Sequence, residues 1–320
     1  MTQHYDQLVL IGRFQPFHHG HHHLVEYGLS HCRQLILVLG SNNQVGTLQN
    51  PWSAEQRQAM ISACLTPEQL EKIRWVYLDD YWYDDPAWLQ HVQAVLSNVL
   101  VDGSVAILAH RKEETDCYLK LFSNWDKLFY ETDDHIDASK IRTWLYQQAW
   151  EQVSQSVPKP IMDCLDLYRE HADYQALLNQ YQLEASNSNR LQLGLVVVCG
   201  HHILMMQAQL NDQTSQWQLP TTELPNHMTI LDRIDTLKDS LLGEHVSSLT
   251  FRFSSIYDHP KRTFANRVLI HISGYQMNAT MNQITGCHWL PFSDLSPALC
   301  VADHYFIIRH MYRHIQAIQH

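Results

Sequence analysis

The stretch Ile-Gly-Arg-Phe-Gln-Pro-Phe-His-His-Gly-His at residues 11–21 puts Arg13, His18 and His21 in a tight turn between an apolar run and a helical pattern. A guanidinium, two imidazoles and the free backbone N–H groups of a helix start form a donor set suited to phosphate. Gly12 and Pro16 punctuate the turn, Phe14 lies inside it, and Gly20 lets the backbone approach a ligand closely. A crowded, anionic phosphorus centre is stabilised by such donors without a covalent intermediate. The histidines at 18, 19 and 21–23 could instead be a solvated run, a metal-scavenging run or a tag remnant. Their internal position and the preceding Gly-Arg-Phe-Gln-Pro-Phe favour phosphate, with His19, His22 and His23 as bystanders.

The elements around this turn alternate. Apolar runs at 7–11, 34–39, 73–78 and 105–108 are separated by helical patterns at 21–30, 54–64 and 87–100, which predicts a parallel sheet covered by helices. Ser53 with Gln56 predicts a capping box, and Ser139 is expected to open a helix carrying Ile141, Trp144 and Leu145. Helical segments continue to about residue 183, and the polar EASNSNR at 184–190 reads as a linker. Beyond it, strand patterns at 191–199, 203–210, 249–254 and 266–273 surround a helix near 229–242, with a closing helix near 302–317. The expected fold is thus an α/β domain at 1–183 followed by an α+β domain at 191–320.

With 320 residues the chain has room for two cores. A net charge of −11 with only 22 Lys plus Arg argues against a nucleic-acid or anionic-membrane partner. The seven cysteines are scattered and form no C-x-x-C pair, which suits a reducing compartment. Without a leader pattern or a bilayer-length apolar stretch, the expected location is the cytoplasm.

The H-x-G-H sequence at 18–21, with its G-x-F-x-P prefix, resembles the signature of the nucleotidyltransferase superfamily, in particular the nicotinamide-mononucleotide (NMN) adenylyltransferases. The resemblance covers about residues 6–146 and implies a Rossmann-like domain. It implies that Gly12, Arg13, Phe14, His18 and His21 bind ATP, and that Arg13, His18, His21 and Arg57 carry catalysis. Residues 50–57, Asn-Pro-Trp-Ser-Ala-Glu-Gln-Arg, resemble the family's N-P-F-[ST]-x-x-x-R, in which Arg57 takes a phosphate, that of NMN included. Residues 136–142, Ile-Asp-Ala-Ser-Lys-Ile-Arg, resemble I-S-x-[ST]-x-x-R, giving Ser139 and Arg142 the β- and γ-phosphates. Asp137 stands where the family has a hydroxyl, and a carboxylate there repels polyphosphate unless Mg²⁺ intervenes or it points away.

DDYWYDDPAW at 79–88 follows the third strand, where the family builds its nicotinamide pocket, and Trp88 is the candidate to stack on the pyridinium ring. Burial as a core tryptophan is the alternative. Residues 109–113, Ala-His-Arg-Lys-Glu, resemble a G-H-x-K-D loop; His110 and Lys112 receive no catalytic role, though the loop suits substrate support. The implied reaction is in-line attack of the NMN 5′-phosphate on the α-phosphorus of ATP, with Mg²⁺ arriving on ATP and no general base.

Residues 191–320 resemble a Nudix domain through Trp217-Gln218-Leu219-Pro220, Tyr257-Asp258-His259-Pro260-Lys261-Arg262 and Asp303-His304-Tyr305. Setting Thr222 and Gly243 on the outer glycines of the box puts Met228, Thr236, Leu237, Ser240 and Leu241 where the pattern G-x5-E-x7-R-E-U-x-E-E-x-G requires Glu or Arg. Without those carboxylates no divalent ion is held to activate water, so the domain is expected to be silent in hydrolysis. Asp232, Asp235 and Asp239 could form a displaced metal site or simply a solvated helix face. Arg262 and Arg267 could bind a nucleotide diphosphate without cutting it. The leading reading is an NMN adenylyltransferase with a non-hydrolytic partner domain; the alternatives are a transferase acting on nicotinate mononucleotide or another acceptor, a bifunctional enzyme retaining ADP-ribose hydrolysis, and a non-catalytic nucleotide sensor, which the intact Arg13, His18, His21, Arg57, Ser139 and Arg142 set disfavours. Similar proteins often form homo-oligomers, and no residue here forces that outcome.

Overall fold

A computed structural model describes residues 4–110, 122, 125–131, 137–186, 191–211, 214–225, 227–260, 262–264, 268–278, 284 and 286–317. The chain divides into two compact units, Met1–Asp80 with Asp85–Gln180 and Tyr81–Asp84 with Tyr181–His320.

In the first unit β1 (Tyr5–Gly12), β2 (Cys32–Leu39), β3 (Ile73–Tyr77), β4 (Val105–His110) and β5 (Asp126–Tyr130) lie in the order β3-β2-β1-β4-β5, all parallel. Their near-continuous apolar runs reflect cover on both faces. On one face Val9, Ile36, Val76 and Ile107 pack with Val92 and Leu96 of α4 (Asp85–Ser97). On the other, α1 (His19–Ser30) comes so close that a Cβ on Gly28 would lie 2.7 Å from Leu108 Cδ2. Each buried Leu, Ile or Val contributes roughly 2 kcal/mol to this packing. The remaining helices are α2 (Ala54–Ser62), α3 (Pro67–Glu71), α5 (Ala138–Tyr146), α6 (Trp150–Ser156), α7 (Lys159–Tyr168) and α8 (Ala172–Ser186), whose C-terminal end belongs to the second unit. Glu184, Ala185 and Ser186, expected to open the linker, are still helical. The strand order reverses between β1 and β4, and ligands of open α/β sheets bind outside the carboxyl ends of strands at such a point.

In the second unit β6 (Leu191–Cys199), β7 (His202–Asn211), β8 (Thr214–Gln218), β9 (Thr221–Glu223), β10 (Leu249–Tyr257), β11 (Leu269–Met277) and β12 (Cys287–Pro291) form a mixed sheet. Its order is β10-β11-β6-β7-β12, with β8 on β7 and β9 on β6; β11 and β6 are parallel and the other pairs antiparallel. Val196, Val198, Ile203 and Met205 face Ile307, Ile308, Met311 and Ile315 of α10 (His304–Ala317). Leu195, Val197 and Leu204 face Ile234 and Leu242 of α9 (Ile230–Leu242).

Tyr81–Asp84 is built into this second core. Trp82 stacks on His259 at 4.3 Å and on Phe306 at 5.2 Å, while the Tyr83 hydroxyl donates to Asp303 Oδ2 at 2.6 Å. Asp84 pairs with Arg309 and Arg313. Among the described residues, no helix is long and apolar enough to cross a membrane.

Candidate active site

The turn after β1 is strained and tightly held. Phe14 has φ 53°, a left-handed conformation that costs a bulky residue on the order of 1–3 kcal/mol. Two arginines offset that cost by gripping the carbonyls on either side of it. Arg57 of α2 donates through Nη1 to the carbonyls of Arg13 (2.6 Å) and Gly40 (2.7 Å) and through Nε to that of Ser53 (3.1 Å). Arg142 of α5 donates through Nη1 to the carbonyl of Gln15. The buried Gln15 amide exchanges two hydrogen bonds with the Trp52 backbone, at 2.9 and 3.2 Å. The Ser53–Gln56 capping box is present and fixes the start of α2, so the 50–57 stretch serves the turn as a brace.

His18 is the N-cap of α1: its Nδ1 accepts the His21 N–H at 3.3 Å, and the two rings stack with centroids 3.6 Å apart. Because Nδ1 accepts, the neutral His18 ring carries its proton on Nε2. Gly20 makes room for that ring, since a Cβ there would lie 3.2 Å from His18 Cε1.

Asp137, and not Ser139, is the N-cap of α5. Its Oδ1 accepts the Ser139 N–H at 2.8 Å, which corrects the expected helix start, and the Ser139 hydroxyl instead accepts from Arg142 Nη2 at 3.1 Å.

These groups meet in a pocket of about 200 Å³. Arg13, Phe14, Gln15, His18, Gly20 and His21 line it from the turn and α1; Asp137, Ala138, Ser139 and Arg142 line it from α5, and His110 from the end of β4. The starts of two helices thus converge on one cavity, and positive potential with them. Burial lowers the proton affinity of Arg13 against the pull of Asp80 and Asp137. Burial, with the charge of Arg13 second, lowers Arg142 to about 9, and burial lowers Arg57 to about 10. Arg13 Nη1 and Arg57 Nη2 are buried with no hydrogen-bond partner among the described residues. An anion in the pocket would meet the charge of Arg13 and Arg142, which line it.

Several expected site residues lie elsewhere. Gly12 ends β1, where a Cβ would come 2.7 Å from Phe14 Cζ. Arg57 is fully buried behind the turn, so most of its guanidinium holds backbone rather than facing the cavity. Trp88 on α4 is half-buried against the core of the first unit and does not line the pocket. Lys112 lies outside the described residues. Gln15 is a pocket residue that motif reading left without a role, hinted at by a polar residue enclosed by Phe14 and Phe17, and His110 lines the pocket from the loop expected to support substrate.

In the second unit Arg262, expected to meet a diphosphate, forms a buried ion pair with Asp303, and its Nη2 donates to Gln192 Oε1 at 2.9 Å. Its side chain is 3% exposed, because Asp303 is wholly buried and requires the cation as neighbour. Arg267 lies outside the described residues. Leu237 and Leu241, at two of the box positions, pack into the core beneath α9. Asp232, Asp235 and Asp239 are exposed, the first bonded to the Thr229 hydroxyl and the second to Lys238. Among the described residues no cluster of three or more His, Cys, Asp or Glu side chains could hold a metal ion.

A cytidylyltransferase-like family profile matches residues 9–156. A nicotinamide/nicotinic acid mononucleotide adenylyltransferase from Acinetobacter baylyi is 30% identical over 186 residues, 58% of this chain and 97% of that protein. The chain belongs to the nicotinamide-nucleotide adenylyltransferase family. It is a nucleotidyltransferase enzyme, as the motifs implied. Another member, from Thermoplasma acidophilum, is 38% identical over 86 residues, 27% of this chain and 48% of its own length. A bifunctional NMN adenylyltransferase/ADP-ribose pyrophosphatase from Francisella tularensis shares the fold with a TM-score of 0.78 at 23% identity, covering 97% of this chain and 99% of that one. A second structure of that protein, with TM-score 0.77 at 22% identity and the same coverage, holds AMP and a manganese ion. The two-domain fold read from sequence, a Rossmann-like α/β domain followed by an α+β domain, is borne out.

Proposed function

We propose that the first unit transfers the adenylyl group of ATP to NMN, giving NAD and pyrophosphate, and that the second unit does not hydrolyse nucleotides. The observation that carries this is the single pocket uniting His18 and His21 with Arg13, Ser139 and Arg142 at two helix starts. A phosphate oxygen of NMN forms the new bond to the α-phosphorus while the bond to the β-phosphate bridge breaks, and pyrophosphate carries the charge away. The attacking phosphate is already anionic, so no base is required. His21 and the α1 amides meet the α-phosphate, and Ser139, Arg142 and Arg13 take up the charge growing on pyrophosphate. Arg57 acts chiefly as a positioning residue through the turn, with Nη2 left as a phosphate donor. Trp88, partly exposed, offers its ring to the pyridinium.

The residues present fit a divalent ion that arrives on the nucleotide, for which Asp137 is the carboxylate lining the pocket. Mg²⁺ bound there would neutralise polyphosphate charge.

Nicotinate mononucleotide is the second acceptor reading, favoured by the double specificity in the name of the Acinetobacter relative. A coupled assay with ATP and each mononucleotide tests both readings. NAD formation is expected, and no product from either acceptor refutes the proposal. We place the reaction in the cytoplasm, on the scattered cysteines that suit a reducing compartment.

A further inference from the structure

Asp137 lines a pocket whose other charged groups suit an anion, so its negative charge requires its own explanation. Its Oδ1 caps α5, and its Oδ2 accepts no hydrogen bond among the described residues. Capping accounts for an oxygen at this position but not for a charge, because Ser and Asn cap helices as well as Asp does. A negative charge at a helix start favours the helix, but it competes with any anionic ligand for the same N–H groups. Ser139 and Arg142, on the same helix, face the cavity together with Arg13, whose Nη1 is buried without a partner among the described residues. A polyphosphate drawn in by those donors therefore comes to lie beside a carboxylate of like sign.

Repulsion of that kind falls away when a cation sits between the two anions. Mg²⁺ on nucleotide phosphates takes one or two protein carboxylates and keeps several waters, so a single Asp is sufficient. We propose that Asp137 makes this pocket select the metal-complexed nucleotide over the free one, repelling bare polyphosphate and receiving the cation that the nucleotide carries. The inference rests on the reading of the pocket as an ATP site. It deepens that reading by assigning the charge at residue 137 a purpose that a hydroxyl there would not serve.

Calorimetric titration of the full chain with ATP in excess EDTA, and with ATP in excess Mg²⁺, without an acceptor, tests it. Wild type, Asp137→Ser and Asp137→Asn are compared; both variants keep a capping oxygen, and melting curves verify their folding. Wild type is expected to bind the metal complex at least about tenfold more tightly than free ATP. Both variants should bring that ratio to within about twofold, chiefly by gaining affinity for free ATP. An unchanged ratio in both variants, or equal binding of the two forms by wild type, overturns the proposal and leaves Asp137 as a helix cap. Adenylyl transfer to NMN is followed separately. If no NAD forms while the variants still shift the ratio, the adenylyltransferase reading fails and metal selection stands.

Discussion

His18 caps the helix that carries His21, through a 3.3 Å hydrogen bond from the His21 backbone and a ring stack at 3.6 Å. The position of one imidazole therefore depends on the other. His21→Ala should abolish dinucleotide formation while leaving the melting temperature nearly unchanged, since its ring caps nothing. His18→Ala should lose activity and about 1 kcal/mol of stability, whereas His18→Asn restores the cap but not the activity. Steady-state kinetics beside thermal melts separate the two roles, and near-normal turnover in His21→Ala would refute its assignment.

Arg57 joins three stretches of chain through carbonyls of Arg13, Gly40 and Ser53. Arg57→Ala strands those buried acceptors and should cost about 3 kcal/mol or more of the first unit's stability, with loss of activity. Arg57→Lys keeps the charge but not the fork, and should fold better than Arg57→Ala while remaining impaired. Urea denaturation and turnover of both variants check this.

His304 Nδ1 accepts the Leu219 N–H at 3.0 Å, and burial, followed by the nearby Arg262 charge, lowers its pKa to about 4. The unfolded chain takes up this proton near pH 6.5, so between pH 6.5 and 4 it binds more protons than the native state. Stability is thus full above pH 6.5 and falls as the solution is acidified, by at most about 3 kcal/mol at pH 4. Melting of the second unit followed from pH 7 to pH 4 should show this slope. His304→Gln should flatten it, whatever that change does to stability at neutral pH.

The second unit should leave ADP-ribose intact with either Mg²⁺ or Mn²⁺, because Leu237 and Leu241 pack into the core where the Nudix box requires carboxylates. Chromatography of the reaction mixture reads this directly. Hydrolysis that vanishes in Asp235→Ala or Asp239→Ala would instead establish a displaced metal site on α9.

The phosphate turn and the first four strands were legible because their signals are local: an apolar run, Gly and Pro, then a capping histidine. The short strands β5, β9 and β12 were not, since five residues or fewer carry too little pattern and gain their order from pairing. Helix α3 carries a Thr66–Gln69 capping box of the same kind as Ser53–Gln56, a local signal for a helix too short to show apolar periodicity. Arg57 and Arg262 show the limit of motif reading. A guanidinium suited to phosphate is equally suited to buried carbonyls or a buried aspartate, and only tertiary partners decide between them. Asp137 was seen as a departure from pattern, but its capping of α5 depends on where the helix begins.

Tyr81–Asp84 belongs to the second unit although the chain returns to the first on both sides of it. Severing the protein between residues 183 and 191 would therefore not yield two self-sufficient halves. The C-terminal fragment would lack the hydroxyl that meets Asp303 and the indole against Phe306. The N-terminal fragment would display those aromatic rings to water, inviting aggregation. Co-expressed halves would have to find each other again through this four-residue graft.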